Sequence, residues 1–445
     1  MKKIKNLLAL LLAILMVSSL AACSSPTSSS DSSSDTDVSD SAGDGSSSEG
    51  ADSQDSWEGM EFDVTIAVTD SSKDETWWNT DIYNAAVAWS EETGVKLNLL
   101  NGGGTDVLLA AQAAGKGYDL IRNSVFPSLP ASGIAQPVED YLDGYEDIFD
   151  QLEVDTWRGH VWGLTSSYCN YITGMQYNDT LFKSLGLKTP KEYYLEDNWT
   201  WETFLECAKA TTKDTDGDGV TDLWGCSYVD LAKNLSYAIV EIQDNGYLKT
   251  RLDNDYNREV VQFVYDLCSV EQVVPPAAVA KEDLSFEKGT IAMKPHSSLY
   301  GTVLENGDLL SVVPMPKQNK DAEYVSIGMN DYRYYVGAAC EHPEVMVDLA
   351  AALQKNAHML YRDKRLDLKN QGEDIEYIKA LDKALMAVNV CEYFSLTGVQ
   401  NYLPSDHTGD FGIIFTTPPA TSLASLVEVH QAQLDTYNKK YIDIQ

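Results

Sequence analysis

Residues 61–69 read Glu61-Phe62-Asp63-Val64-Thr65-Ile66-Ala67-Val68-Thr69, with Phe62, Val64, Ile66 and Val68 alternating against Glu61, Asp63, Thr65 and Thr69. A strand turns successive side chains to opposite faces, so this alternation predicts a strand. Downstream the period changes: Ile82, Ala85, Ala86 and Trp89 share one face of a predicted helix over about 75–93, stopped by Gly94. Val95, Leu97 and Leu99 alternate again. Thr105 is placed to cap a second helix through Leu108, Leu109 and Ala113, closed by Gly115, and Tyr118 to Ile121 reads as a third strand. Strand, helix, strand, helix, strand implies a parallel sheet covered by helices on both faces.

The rest of the chain continues the α/β theme. Thr200 is an N-cap for a helix over about 201–212, with Glu202 in its first turn. Val260, Val261, Val264 and Leu267 form a helical stripe that ends before Pro275-Pro276. Further helices are expected from Pro343 through Val347, Leu349, Ala350 and Leu353, and over about 422–441. No period of solenoid length recurs. The fold class is α/β, in two lobes.

Composition narrows the partners. The 445 residues include 68 Asp plus Glu against 32 Lys plus Arg, a formal charge of −36. Such a surface repels phosphate backbones and anionic lipid, which argues against nucleic acid and against electrostatic membrane docking. Lys2, Lys3 and Lys5 precede an apolar run from Leu7 to Val17, too short to span a bilayer, and the layout is that of a secretory signal over residues 1–22. Leu20-Ala21-Ala22-Cys23 resembles a bacterial lipobox, in which Cys23 is diacylated and becomes the first mature residue; two acyl chains suffice for a stable anchor. An ordinary cleavage site is the alternative.

Residues 24–56 hold 15 Ser and eight acids with no Lys or Arg, and nothing there offsets the entropy of folding, so residues 23–56 are read as a lipidated Cys and a disordered tether. The body, 57–445, retains −31. Cys169, Cys207, Cys226, Cys268, Cys340 and Cys391 have no CxxC spacing; disulfides and buried thiols both remain open.

Several stretches, taken in order, resemble the extracellular solute-binding proteins of family 1, the sugar-capturing subunits of bacterial ABC importers. They are Tyr118-Asp119-Leu120-Ile121, Gly159 to Leu164 (GHVWGL), Met175 to Leu187 (MQYNDTLFKSLGL), Trp199 to Ala208 (WTWETFLECA), Phe286 to Met293 (FEKGTIAM), Val312 to Lys317 (VVPMPK) and Glu341-His342-Pro343-Glu344. Leu164-Thr165 stands where the family often has Val-Pro, and His296-Ser297 where many members have Gly and Trp; 361–419 matches nothing in the family pattern. The resemblance implies a two-lobed periplasmic-binding-protein-like fold of type 2, with a hinge of two or three crossover segments. Lobe 1 would span about 60–168 and 318–358, and lobe 2 about 172–315 and 359–445. It also implies a carbohydrate ligand in the interlobe cleft, permease subunits as partners, a monomer, and no catalysis.

Sugars are held by aromatic faces and by planar polar side chains. Trp77 and Trp78 follow the first strand at the carboxyl edge where open parallel sheets bind ligands, although either reads equally well as core. Arg122 and Asn123 end the third strand. Trp162, Tyr168 and Tyr171 bracket the expected first crossover; His296, Ser297 and Tyr300 follow the FEKGTIAM segment; Tyr332 and Arg333 sit on the returning connection. Arg333 reads as a ligand for hydroxyls or a carboxylate, or as half of a structural ion pair.

Asp214, Asp216 and Asp218 occupy positions one, three and five of an EF-hand-like loop, with Gly219 at six, the Val220 carbonyl at seven and Asp222 at nine. Position twelve is Gly225, so the bidentate Glu is missing. The loop is expected to hold a structural Ca2+, against the alternative of a solvated Asp/Gly turn.

Two other functions were weighed. The same fold could take a peptide, polyamine or other small solute. A surface glycoside hydrolase is disfavoured: carboxylate pairs are inevitable among 68 acids, and neither GxSxG nor HExxH occurs.

Overall fold

The computed structural model describes residues 57–67, 77–101, 105–123, 126–150, 152–166, 171–172, 174–227, 231, 235, 239–276, 285–296, 303–324, 326–329, 333–355, 388–392 and 416–443. The signal segment, Cys23 and the tether lie outside the described residues, as do Tyr168, Ser297, Tyr300 and Tyr332.

The alternation at 61–69 becomes β1 (Glu61–Ala67), which runs parallel to β2 (Lys96–Asn101) and β3 (Leu120–Asn123), with Phe62 opposite Leu97 and Val64 opposite Leu120. A fourth strand, β14 (Arg333–Val336), returns antiparallel to β3 and gives the order β14-β3-β1-β2. That pairing runs to the end of β3 through Arg122 and Asn123, the residues expected to end the strand.

Helix α1 (Trp77–Thr93) buries Ile82, Ala86 and Trp89 and ends at Gly94, whose φ of 71° suits a residue without a Cβ. Thr105 is the first residue of α2 (Thr105–Ala113) rather than its cap, and of that helix's apolar residues Leu108 is the buried one while Ala113 is exposed. A short α3 (Ser128–Ala131) follows, then the hairpin β4 (Thr156–Trp157) and β5 (His160–Val161). The helix over 343–355 closes this core with Val345, Val347, Leu349, Ala350 and Leu353.

The second sheet has the order β12-β7-β11-β8. Its strands are β7 (Gly174–Asn178), β8 (Trp224–Cys226), β11 (Ile291–His296) and β12 (Leu310–Pro314); β7 is antiparallel to both β11 and β12, and β11 is parallel to β8. Helices α4 (Asp179–Ser184), α5 (Pro190–Leu195) and α6 (Trp201–Thr211) lie in the connection from β7 to β8.

Helix α6 starts as predicted: the Thr200 hydroxyl accepts from the Thr203 amide, and the Thr203 hydroxyl accepts from the Thr200 amide. Such a cap is worth about 1 kcal/mol. Its buried face, Trp201, Phe204, Cys207 and Ala208, meets α7 (Asp255–Tyr265), where Trp201 stacks on Phe263 at 4.6 Å. The predicted stripe Val260, Val261, Val264 and Leu267 is buried throughout.

A third sheet, β15-β13-β6, lies where the chain passes between the other two. β6 (Tyr171–Ile172) precedes β7 of the second sheet, and β13 (Ser326–Met329) lies between β12 of the second sheet and β14 of the first. β15 (Val388–Glu392) is parallel to β13. Three short paired segments between two larger sheets form a hinge of the expected kind.

The C-terminal helix α8 (Pro419–Tyr437) continues in a π turn, Asn438–Ile442. Asn438 accepts from the amide of Leu248 and donates to its carbonyl, both at 2.9 Å, fixing the turn to the hairpin of β9 (Val240–Ile242) and β10 (Leu248–Thr250). Leu108, Leu129 and Trp157 share an apolar cluster with Leu434, Tyr437 and Tyr441, so this helix bears on both lobes.

Candidate functional site: the strand ends beside the hinge

Open parallel sheets bind ligands outside the carboxyl ends of their strands. In the first lobe that edge is formed by the ends of β1, β2 and β3, and Trp77 and Trp78 open α1 on the same side of β1. From the second lobe, β11 ends at His296, in register with Gly174, two residues beyond β6. Tyr171 in β6 is opposite Met329 in β13, and Arg333, four residues on, is opposite Asn123. Of the candidate residues, Trp77, Trp78, Asn123, Tyr171, His296 and Arg333 therefore lie at or beside strand ends adjoining the hinge.

Arg122, Asn123 and Arg333 at this edge are buried, and the two arginines are engaged with the scaffold. Arg122 and Asn123 are each 3% exposed, and the Arg122 guanidinium donates to the Ile66 carbonyl at 3.2 Å. Arg333 is buried in an ion pair with Asp155, and its guanidinium lies 5.0 Å from the Phe126 ring centroid. Burial pushes the Asp155 carboxyl up, against the pull of the Arg333 guanidinium and the Thr165 hydroxyl. A Cβ at Gly163 would fall 2.8 Å from Asp155 Oδ1, so only glycine lets the chain pass this close to the pair. Of the two roles open to Arg333, the structure takes the ion pair.

Trp162 is half-buried. Its indole N–H donates to the Trp157 carbonyl at 2.9 Å, and its ring meets Trp157 and His160 edge-on, each at 6.1 Å. Sequence reading missed Asp155 and Trp157, whose importance comes from partners distant in the chain.

In the 214–222 loop, carboxylate oxygens of Asp214, Asp216 and Asp218 lie within 4.8 Å of one another. Asp214 accepts from the Gly217 amide at 2.6 Å and the Gly219 amide at 2.8 Å, while Asp218 accepts from Val220 at 2.7 Å. Asp222, at position nine, lies outside this cluster of three and is hydrogen-bonded within the loop. Its Oδ2 takes the Thr215 hydroxyl and amide, both at 2.7 Å, and these bonds hold its carboxyl below the usual range. Position twelve, Gly225, is pressed against α6: a Cβ there would meet the Ala208 carbonyl at 2.3 Å, so no Glu fits. Three hard oxygen donors suit Ca2+ chemically.

A pocket of about 470 Å³ lies beside α4 and α5, at the Asn178 end of β7, opposite the end that adjoins the hinge. Its acids are already engaged, Asp179 by Lys183 at 2.5 Å and Glu192 by the Thr189 hydroxyl at 2.8 Å.

The two sheets and the three-stranded connection between them define the two-lobed α/β fold of the type 2 binding proteins. Residues 70–357 match the family model of the bacterial extracellular solute-binding proteins. The chain belongs to this family, and that membership places it outside the cytoplasm.

No curated protein matches. Among solved structures it is similar to the ABC substrate-binding protein Lmo0181 from Listeria monocytogenes in complex with cycloalternan, at 14% identity and TM-score 0.55, covering 86% of this chain and 98% of that one. The galacto-N-biose-/lacto-N-biose I-binding protein of the ABC transporter from Bifidobacterium longum, in complex with lacto-N-biose, gives 13% identity, TM-score 0.56 and coverage of 86% and 98%. UspC from M. tuberculosis gives 16%, 0.56, and 85% and 100%. Among the described residues, no helix is long and apolar enough to cross a membrane.

Proposed function

We propose that this chain captures a carbohydrate, an oligosaccharide, between its lobes and delivers it to the permease of an ABC importer, without catalysing a reaction. The observation that carries the reading is the family match over 70–357 on a fold shared with proteins whose bound ligands are cycloalternan and lacto-N-biose. Trp77, Trp78, Tyr171 and His296, at the strand ends beside the hinge, supply aromatic faces and a hydrogen-bonding ring of the kind that sugars need. Trp162, Tyr168, Ser297, Tyr300 and Tyr332 complete the proposed contact set. Bending at the three crossovers would bring the lobes together over the ligand and present both to the permease as one surface. Cys23 is the proposed acyl anchor, the chain acting as a monomer on the outer face of the membrane. Asp214, Asp216 and Asp218 form a proposed structural Ca2+ site that steadies the end of α6.

Calorimetric titration of the purified chain against mono- and oligosaccharides is the direct test. Micromolar or tighter binding to a saccharide supports the reading. Tight binding to a peptide or polyamine, with no response to any sugar, would replace it with another solute on the same fold. Release of reducing ends from a polysaccharide would make the chain a hydrolase.

A further inference from the structure

The lobes meet in a second place, outside the three-stranded connection. The turn between β9 and β10 lies against the turn between β4 and β5. Trp157 is 2% exposed, and its indole N–H donates to the Gly246 carbonyl at 2.9 Å. Beside it, Arg158 Nε donates to the Asn245 carbonyl at 3.2 Å, and the guanidinium lies 4.4 Å from the Trp157 ring centroid.

Both turns are held in left-handed backbone, with φ of 51° at Arg158, 81° at Gly159 and 84° at Gly246. Arg158 and Gly159 are the two central residues of the β4–β5 hairpin, where a primed turn has positive φ at both, and this turn carries the Arg158 side chain beside Gly246. The fit at Gly246 is tight: a Cβ would fall 2.7 Å from both Trp157 Nε1 and Arg158 Nε. The C-terminal segment reinforces the contact. Asn438 grips Leu248 in the adjoining strand, Lys440 pairs with Asp106 of α2 at 3.3 Å, and the Tyr247 hydroxyl donates to Asp443.

We propose that this contact is a fixed second pivot, which stays closed while the lobes open and shut. Parting the turns would expose a whole indole to water and strip a buried N–H of its acceptor. Bending the crossovers spreads small backbone rotations over a few residues and breaks neither contact. Motion that keeps both attachments is a rotation about the line joining the three-stranded connection to the 243–246 turn. The buried Trp157–Gly246 hydrogen bond and the absence of a Cβ at 246 are what hold the second end of that axis in place.

The test is a disruption of the contact in the full chain, Gly246→Ala, whose Cβ would fall 2.7 Å from both Trp157 Nε1 and Arg158 Nε and so part the two turns. By small-angle scattering the ligand-free variant should have a larger radius of gyration than the parent, because the lobes lose the second end of their axis. A folded variant with the parent's radius of gyration would overturn the pivot. In the unsubstituted protein the Trp157 indole proton should exchange with solvent at least 1,000-fold more slowly than an exposed indole, and exchange as fast as an exposed indole would also overturn it. No sugar enters either measurement, so the result stands apart from the carbohydrate reading.

Discussion

Arg333, the first residue of β14, and Asp155, the last of the turn Leu152–Asp155, form an ion pair sealed from water, with side-chain exposures of 1% and 0%. The pair ties the strand that re-enters the first sheet from the hinge to the turn preceding the outgoing crossover. A buried pair adds little net stability, but removing one partner leaves an uncompensated charge. Arg333→Met or Asp155→Leu alone is expected to lower unfolding free energy by about 3–5 kcal/mol. The double variant should recover much of that loss, because it buries no lone charge. Urea denaturation of the three variants checks this; a double variant as unstable as the two single losses added together would count against it.

His430 gives the chain a pH dependence of known sign. It is fully buried on α8, its Nδ1 lies 2.6 Å from the Thr250 hydroxyl, and burial pulls its pKa from 6.5 down to about 3. The folded state therefore keeps the ring neutral while the unfolded chain binds a proton below pH 6.5. Stability is complete above that value and is lost progressively as pH falls towards 3, by an amount that approaches about 5 kcal/mol. His430→Gln should flatten the stability curve between pH 6.5 and 4 relative to the parent. Parallel slopes in denaturation midpoints measured at pH 7, 5.5 and 4.5 would contradict this assignment.

How much of this was legible in the chain differs from residue to residue. Phe62, Val64 and Ile66 declare β1 because period two is local, and Thr200 declares α6 because its partner Thr203 is three residues away. Arg333 could not be assigned from sequence because its partner Asp155 is 178 residues distant, and no spacing rule links the two. Arg122 and Asn123 are legible as the end of the third strand, but their pairing with β14, which begins only at Arg333, is not. The Asp-rich loop was readable as a pattern, but the turning of Asp222 onto Thr215 is a choice between two acceptors that composition does not encode.

The Asp214, Asp216 and Asp218 oxygens stand together with their own backbone amides as partners, and like charges this close repel unless a cation intervenes. Millimolar Ca2+ should therefore raise the melting temperature of the purified chain, and EDTA should reverse the rise. A total of about 100-fold over Kd corresponds to about 2.7 kcal/mol of added stability. Asp216→Asn with Asp218→Asn should abolish the response, and Mg2+ should give little of it, since a partly preformed loop of hard oxygens does not provide the octahedral geometry that Mg2+ demands. A melting curve indifferent to Ca2+ and EDTA would remove the metal from the account and leave a solvated turn.

Trp77 and Trp78 are the first two residues of α1, and successive helical positions lie about 100° apart around the axis, so different roles are expected of them: a stacking platform for one, a core position for the other. Trp77→Ala and Trp78→Ala are therefore expected to split. One should weaken saccharide binding by 10- to 100-fold, about 1–3 kcal/mol, with the melting temperature unchanged. The other should lower stability by about 3–5 kcal/mol with little effect on affinity measured below its transition. Titration and thermal melts of both variants separate the roles, and two variants that each keep full affinity would move the aromatic platform away from α1.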